Sequence, residues 1–420
     1  MNSMTSYLKS SRKLGINGVG RIGKLTLWNH LNIEHFDGFV INTGRIVGKS
    51  LEDFIDYLTA DSTYGTIHNF FYGYTGKKCD IKITDKASNI FTINNIPVKI
   101  ITESRNPREI NWAKEDVRLV VECTGIFVDP TAPAESERGS VRGHLEAGAE
   151  KVMVSSPFKI KDSAQKLPSD SATFVYGVNH TDYDPDMHHI ISAASCTTTG
   201  LAHIVKPLLE TRETSEIITA SMSTVHAATN NQTILDSVPG VSSSDLRKTR
   251  SVFNNIILTT TGAAYALEDI IPEIKETGLM ADSVRVPVNT ASLIILNVTF
   301  NSGMSETGVP LLNREMLNDI YKKAAGGPQK EMLVYSDKQN VSSDMIGYRA
   351  AIIIEGSENH TRTGFIPVSS ECLTGQGVDA SSDIKIPVTH AKIFGWYDNE
   401  LGSYVNFLGK LTVYVDKNMH

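Results

Sequence analysis

At 420 residues the chain exceeds what one hydrophobic core usually serves, so two domains are expected. Its hydrophobic content of 40% and charged content of 21% are those of an ordinary soluble globular protein. A net charge of -7 argues against nucleic acid as a partner, because phosphate backbones require a basic face.

The first residues, Met1 to Lys13, lack the apolar core of a secretory signal. With Lys9, Arg12 and Lys13 and no acid they read as a tail, a very short organelle-targeting piece being the alternative. Lys13 to Asn17 then reads as a short buried strand running straight into Gly18-Val-Gly20-Arg-Ile-Gly23 and a helical stretch to about His30. Strand, glycine turn and helix in that order suit a dinucleotide pyrophosphate. Gly18 allows the tight turn, Gly20 lets backbone approach the anion, and Gly23 permits close helix-to-strand packing.

The next strand, Phe39 to Asn42, should end in an acid if an adenosine ribose without a 2′-phosphate is read there, but the chain gives Thr43-Gly44-Arg45. Asp37 precedes the strand and would sit at the wrong end. No carboxylate repels a 2′-phosphate, Arg45 can attract one, and dual use of NAD and NADP is expected. Leu119 to Glu122 and Lys151 to Val154 are further buried-strand patterns, so the amino-terminal half is expected to be a mostly parallel, doubly wound sheet. Thr124 and Ser155 fall at the carboxyl ends of those strands, where such sheets bind ligands.

Four cysteines, Cys79, Cys123, Cys196 and Cys372, lack the close pairs of a zinc site or disulfide framework, so no metal is expected and a reducing cytoplasm suits them. Cys196 stands apart. It lies in Ser195-Cys196-Thr197-Thr198 at a plausible helix start, and His226 follows in Ser-Thr-Val-His-Ala. A cysteine is a good nucleophile as thiolate, and an imidazole can take its proton. With the glycine turn, the pair points to an oxidoreductase working through a thioester. Arg247-Lys248-Thr249-Arg250 is the compact basic cluster, either a solvated loop or a holder of a small phosphate ligand. Strand-like runs at Ile217 to Val225, Val284 to Val288 and Ser292 to Phe300 predict a largely antiparallel sheet with helices in the second half. Asp398 or Asn399 could cap a final helix carrying Leu401, Tyr404, Val405, Leu408 and Leu411. No apolar run reaches membrane-spanning length.

Taken together, Asn17 to Gly23, Asp61-Ser-Thr-Tyr-Gly65, Glu122-Cys-Thr-Gly-Ile-Phe127, Ser195 to Thr198, Thr224-Val-His226, Thr260-Thr-Gly-Ala-Ala264, Arg285-Val-Pro287 and Trp396-Tyr-Asp-Asn-Glu400 resemble phosphorylating glyceraldehyde-3-phosphate dehydrogenases over nearly the whole chain. The resemblance implies an α/β and α+β protein. A Rossmann-type NAD(P)-binding domain would span 13–194, a catalytic domain with a mixed or antiparallel sheet 195–396, and a C-terminal helix, 397–420, would return to the first. It implies oxidation of glyceraldehyde 3-phosphate to 1,3-bisphosphoglycerate by NAD or NADP, a place in glycolysis or gluconeogenesis, and a cytoplasmic homotetramer. Cys196 would be the nucleophile and His226 the base. Thr229 and Arg285 would hold the substrate phosphate, and Ser195, Thr197, Thr261 and Gly262, with Lys248 or Arg247 supplying charge, the inorganic phosphate. For the cofactor it implies the Gly18 and Gly20 turn, Arg21 and Ile22 at the pyrophosphate, Thr43, Arg105 and Thr124 on the adenosine side, and Asn399 at the nicotinamide carboxamide.

Several positions depart from the family pattern. The second cysteine four residues after the nucleophile is Gly200, Lys248 stands where many relatives have arginine, and Asn231 occupies a position often acidic. Ser237-Val238 replaces the Leu-Pro of strictly NAD-using relatives, a second sign of NADP use. Glu355 through Asp383 is extra sequence, rich in Ser, Gly and Thr, and reads as a surface loop. Two alternative readings accompany the resemblance: an erythrose-4-phosphate dehydrogenase, and a non-catalytic member with a regulatory binding role.

Overall fold

The computed structural model describes residues 12–102, 104–162, 164–230, 232–241, 245–377, 379 and 381–420. Asn231 and the tail before Arg12 lie outside the described residues. The chain divides into two compact units, Met1–Ser195 with Glu400–His420, and Cys196–Asn399.

The first unit is a nine-stranded sheet. Its strands are β1 (Lys13–Asn17), β2 (Gly38–Asn42), β3 (Ile81–Asp85), β4 (Ile90–Ile93), β5 (Ile96–Ile101), β6 (Val117–Glu122), β7 (Lys151–Val154), β8 (Ser171–Thr173) and β9 (Ile190–Ser192). They lie in the order β8-β9-β7-β6-β1-β2-β5-β4-β3, parallel except for the β3-β4-β5 meander at one edge. Every residue of β2 and β7 is buried, the signature of strands covered on both faces. Helix α1 (Arg21–Ile33) follows β1 and is buried from Gly23 through Leu31. A Cβ on Gly23 would meet the Gly18 carbonyl oxygen at 2.0 Å, so only glycine permits this approach of helix to turn. The C-terminal helix Asn406–Asn418 packs against α1 at a second such glycine, since a Cβ on Gly409 would meet Asn29 Nδ2 at 2.2 Å.

The second unit carries an eight-stranded mixed sheet. Its strands are β10 (Ile217–Ala227), β11 (Ile257–Thr260), β12 (Leu279–Val286), β13 (Ser292–Asn301), β14 (Leu333–Ser336), β15 (Ile352–Glu355), β16 (His360–Val368) and β17 (Ile384–Tyr397). The order is β11-β12-β10-β13-β17-β15-β14 with β16 added on β17; β10-β12 and β14-β15 are parallel and the other pairs antiparallel. Strict burial alternation along β13 shows one face turned to the core. Helices α2 (Leu51–Thr59) in the first unit and α3 (Cys196–Leu209), α4 (Ala263–Ile270) and α5 (Arg314–Gly326) in the second complete the longer elements.

Two expectations are corrected. The extra segment is not a bare loop: His360–Val368 is a strand paired along β17, and Ser370–Gly375 a short helix capped by Ser369. The final helix opens with a π-turn over Leu401–Val405 preceded by Glu400, and neither Asp398 nor Asn399 caps it, because both side chains bond residues of the second unit.

His30 on α1 is fully buried, and neither ring nitrogen has a partner among the described residues. Burial pushes its pKa down to about 3. The unfolded chain takes up this proton near pH 6.5, so the stability present above that pH is lost as pH falls from about 6.5 toward 3. His30→Leu should therefore gain stability over the parent in acid, by on the order of 2 kcal/mol at pH 5. Thermal melts at pH 8 and pH 5 check this, and a difference that does not widen at pH 5 refutes it.

Candidate active site

A sharp turn leads into Cys196. Ala194, fully buried, sits at φ 55°, a left-handed conformation that costs a side-chain residue energy and is held only where its surroundings demand it. Ser192 Oγ accepts from Ala194 N at 3.1 Å and steadies the turn. The chain then enters α3, whose first residue is Cys196. The unpaired amides and positive dipole end of a helix N-terminus favour a thiolate there.

On β10, His226 brings Nε2 to 3.7 Å from Cys196 Sγ. Its Nδ1 lies 2.8 Å from the Ala227 carbonyl. Arg285 is the register partner of His226 on β12; its guanidinium donates to Ala227 O at 3.2 Å and stands against Nδ1. Burial first, and the Arg285 charge second, push the imidazole pKa down to about 3. The ring is thus a neutral base. Arg285 is itself largely buried, burial lowers its pKa, and its Nε has no partner among the described residues.

Tyr397, absent from the residues singled out by sequence, completes this cluster. Its hydroxyl is 2.9 Å from Thr197 Oγ1 and its ring meets His226 edge-on, with centroids 6.1 Å apart. Burial pushes its pKa up, so the phenol keeps its proton. Only its place in Trp-Tyr-Asp-Asn-Glu could have drawn attention to it.

Asn399 is buried, and its Oδ1 lies 3.0 Å from Ser292 Oγ, which also accepts from Ala227 N at 3.1 Å. Asp398 accepts from Thr290 Oγ1 at 3.0 Å and from Gly347 N at 2.7 Å. A short polar path therefore runs from the His226 strand to Asn399.

The other phosphate candidates lie farther out. Thr260 pairs with Asp282 on β12, three residues before Arg285, so Thr261 and Gly262 stand roughly 10 Å along the sheet from it. Thr261 Oγ1 accepts from Ala263 N at the start of α4. Thr229 bonds Gln232 Oε1 through both N and Oγ1, at 2.8 and 3.0 Å. Lys248 is exposed, and its neighbour Arg247 is engaged by Asp245 at 2.8 Å. Ser195 directly precedes the nucleophile at the unit boundary.

In the first unit, Gly18 takes φ 90° against Thr124, and a Cβ on Gly20 would meet nothing within 4 Å. The amino end of α1, Arg21 and Ile22 included, thus faces open space with no side-chain cap and no acid in its first turn. The Arg21 side chain is turned to Glu400 at 3.0 Å and Asp61 at 3.4 Å, which leaves its backbone for any anion. Thr43 Oγ1 donates to Arg45 O at 2.6 Å, closing a turn through Gly44, and the Arg45 and Arg105 side chains are exposed. Asp37 is bonded to Arg12 N at the opposite end of β2. Among the described residues no group of three or more His, Cys, Asp or Glu could hold a metal ion.

Comparison with known proteins agrees with these features. Residues 12–130 match the family model of the glyceraldehyde 3-phosphate dehydrogenase NAD binding domain, and residues 195–399 that of the C-terminal domain. Glyceraldehyde-3-phosphate dehydrogenase 2 of Streptomyces avermitilis is 33% identical over 408 residues, covering 97% of this chain and 99% of the relative. Glyceraldehyde-3-phosphate dehydrogenase 1 of Bacillus subtilis is 32% identical, covering 96% and 98%. The cytosolic glyceraldehyde-3-phosphate dehydrogenase of Chlamydomonas reinhardtii is 31% identical, covering 96% and 97%.

Since the guanidinium charge contributes to the low pKa of His226, Arg285→Met should move that pKa upward, short of 6.5 because burial remains. Imidazole proton shifts followed against pH in the ligand-free protein report it. An unmoved titration would mean that burial alone sets the value.

Proposed function

Because the chain belongs to the glyceraldehyde-3-phosphate dehydrogenase family, we propose that Cys196 and His226 carry its reaction, the oxidation of glyceraldehyde 3-phosphate to 1,3-bisphosphoglycerate. The observation that carries this reading is the 3.7 Å approach of Cys196 Sγ to Nε2 of a buried, neutral imidazole. Proton transfer to Nε2 leaves a thiolate, which adds to the aldehyde carbon while the imidazolium returns that proton to the carbonyl oxygen, giving the thiohemiacetal hydroxyl and a neutral ring. As the hydride leaves the thiohemiacetal carbon, Nε2 takes the hydroxyl proton, and a thioester on Cys196 results. Inorganic phosphate attacks that thioester, 1,3-bisphosphoglycerate departs and the Cys196 sulfur is restored.

The residues fit the dinucleotide that this family uses. The turn through Gly18, Gly20 and Gly23, with the uncapped amides of Arg21 and Ile22, is a cradle that a pyrophosphate fills and side chains would block. Thr43, Arg105 and Thr124 would line the adenosine side, and Asn399, fixed by Ser292, the carboxamide. When bound, the nicotinamide supplies the hydride acceptor.

Arg285 would grip the substrate phosphate with Thr229. A buried guanidinium with an open Nε–H is suited to a charge-assisted bond, and an anion there would offset the charge that depresses His226. Ser195, Thr197, Thr261, Gly262 and Lys248 would serve the attacking phosphate. The exposed apolar side chains Ile234, Leu235, Val238, Leu246, Phe253 and Ile256 support assembly as a homotetramer. The four free cysteines support a cytoplasmic setting, and among the described residues no helix is long and apolar enough to cross a membrane.

Cys196→Ser should lower aldehyde oxidation by about a thousandfold or more while leaving NAD affinity within about threefold. Stopped-flow turnover and a fluorescence titration check both, and retained turnover would sink the mechanism. NADP is proposed as a second cofactor, since Arg45 is exposed beside a strand end without a carboxylate. Arg45→Ala should cut kcat/KM for NADP about tenfold and spare NAD. Equal effects on the two cofactors would remove Arg45 from any role at a 2′-phosphate.

A further inference from the structure

Glu122, at the carboxyl end of β6, is 1% exposed, and the chemistry described above does not use it. Its Oε1 accepts from Thr124 N at 2.7 Å and from the Thr124 hydroxyl. Its Oε2 accepts from Asn17 Nδ2 at 2.5 Å and from His144 Nε2 at 2.9 Å. Among the described residues no lysine or arginine pairs with it.

The direction of every bond in this network is fixed from outside. Trp112 Nε1, which can only donate, gives its proton to His144 Nδ1 at 2.9 Å, so His144 holds its own proton on Nε2 and gives it to Glu122. At the far end Gly44 N, also only a donor, bonds Asn42 Oδ1 at 3.3 Å. That turns Asn42 Nδ2 toward Asn17 Oδ1 at 2.8 Å and Ser104 O at 3.0 Å, and so turns Asn17 Nδ2 toward Glu122. Asn42, Asn17 and Glu122 are register partners at the ends of β2, β1 and β6. All donors run downhill to one carboxylate.

The groups tied together are those that border the turns after these strands. Asn17 immediately precedes Gly18, Asn42 precedes Thr43 and Gly44, and Ser104 follows β5. Thr124 is pressed so close to Gly18 that a Cβ there would meet its Cγ2 at 2.8 Å. The Thr124 hydroxyl gives its proton to Glu122 and accepts from Ile126 N at 3.1 Å, so it is held in place from both sides.

We propose that Glu122 is a positioning residue for dinucleotide binding, acting through Asn17 and Thr124 to hold the strand-end turns at the separation the pyrophosphate and adenosine require. The proposal rests on the reading that the Gly18–Gly23 turn and Thr124 hold the dinucleotide. Glutamine at this position keeps the shape but turns an NH2 toward either Thr124 N–H or the Asn17 and His144 donors, and none of these can reverse.

The test is a fluorescence titration of the full-length, ligand-free protein with NAD, alongside steady-state kinetics. Glu122→Gln should raise Kd and KM for NAD about tenfold or more, while kcat at saturating NAD stays within about twofold. An unaltered Kd in folded Glu122→Gln protein overturns the proposal. A role confined to stability would lower the melting temperature without this split between KM and kcat. Should Glu122→Gln fail to fold, Thr124→Val and Thr124→Ser decide: the proposal requires weaker NAD binding in the first and near-parental binding in the second, and parental binding in both overturns it. Gly20→Val, whose side chain projects into open space, tests the underlying reading separately. Unchanged NAD binding in Gly20→Val sinks the reading of the turn; weakened binding there with none in Glu122→Gln sinks the positioning role alone.

Discussion

The proposed chemistry depends on one constraint, that the His226 ring is held against the Cys196 sulfur. Nδ1 lies beside both the Ala227 carbonyl and the Arg285 guanidinium, which also donates to that carbonyl. His226 and Arg285 can meet because β10 and β12 pair in parallel with these two residues opposite one another. A one-residue slip would send the imidazole to the other face of the sheet. Nothing local to Ser-Thr-Val-His-Ala secures this. The long β10-β13-β17 pairing does, with buried Ile294, Leu296 and Val298 locking the register from the core side.

The nucleotide-binding unit solves its problem in another way. An anion at the glycine turn would be met by backbone amides rather than by a lysine or arginine, which would require the turn to be accurate rather than merely positive. Accuracy comes from glycines that allow van der Waals contact between turn, helix and strand, and from polar side chains at the strand ends. The Arg21, Asp61 and Glu400 group does similar work on the outer side, joining the first turn of α1 to the start of the C-terminal segment.

Legibility in the sequence followed locality. The glycine turn, the buried parallel strands and the Cys196 helix start are set by neighbouring residues, and the doubly wound sheet and the mixed second sheet are present as expected. Arg285 was legible as a residue, but its approach to His226 was not, because register across two strands leaves no mark in either segment. Tyr397 and the Trp112-His144-Glu122 set were hidden for the same reason: each joins residues far apart in the chain. The segment after Glu355 was misread because β16 is largely exposed and contains Gly364 and Pro367, which weaken any strand pattern; only pairing with β17 makes it a strand. Asn399 looked like a helix cap, yet Ser292 lies within reach and a π-turn replaces the capped start.

Two charges shielded from water, one in each unit, differ in how far they are satisfied. Burying an ion without partners costs several kcal/mol, so each must be compensated by something. Around Glu122 the compensation is complete: four donors fill its two oxygens, and each donor is held by a second bond or by the backbone. A carboxylate so enclosed has no capacity left for a ligand, and its effect can be exerted only through the atoms that surround it. Arg285 is the opposite case. Its Nη1 is engaged by Ala227, but among the described residues Nε has no partner, and the cation lowers the basicity of the imidazole beside it. On the proposed reading, an anion bound at Arg285 would meet the Nε donor and offset the charge beside His226.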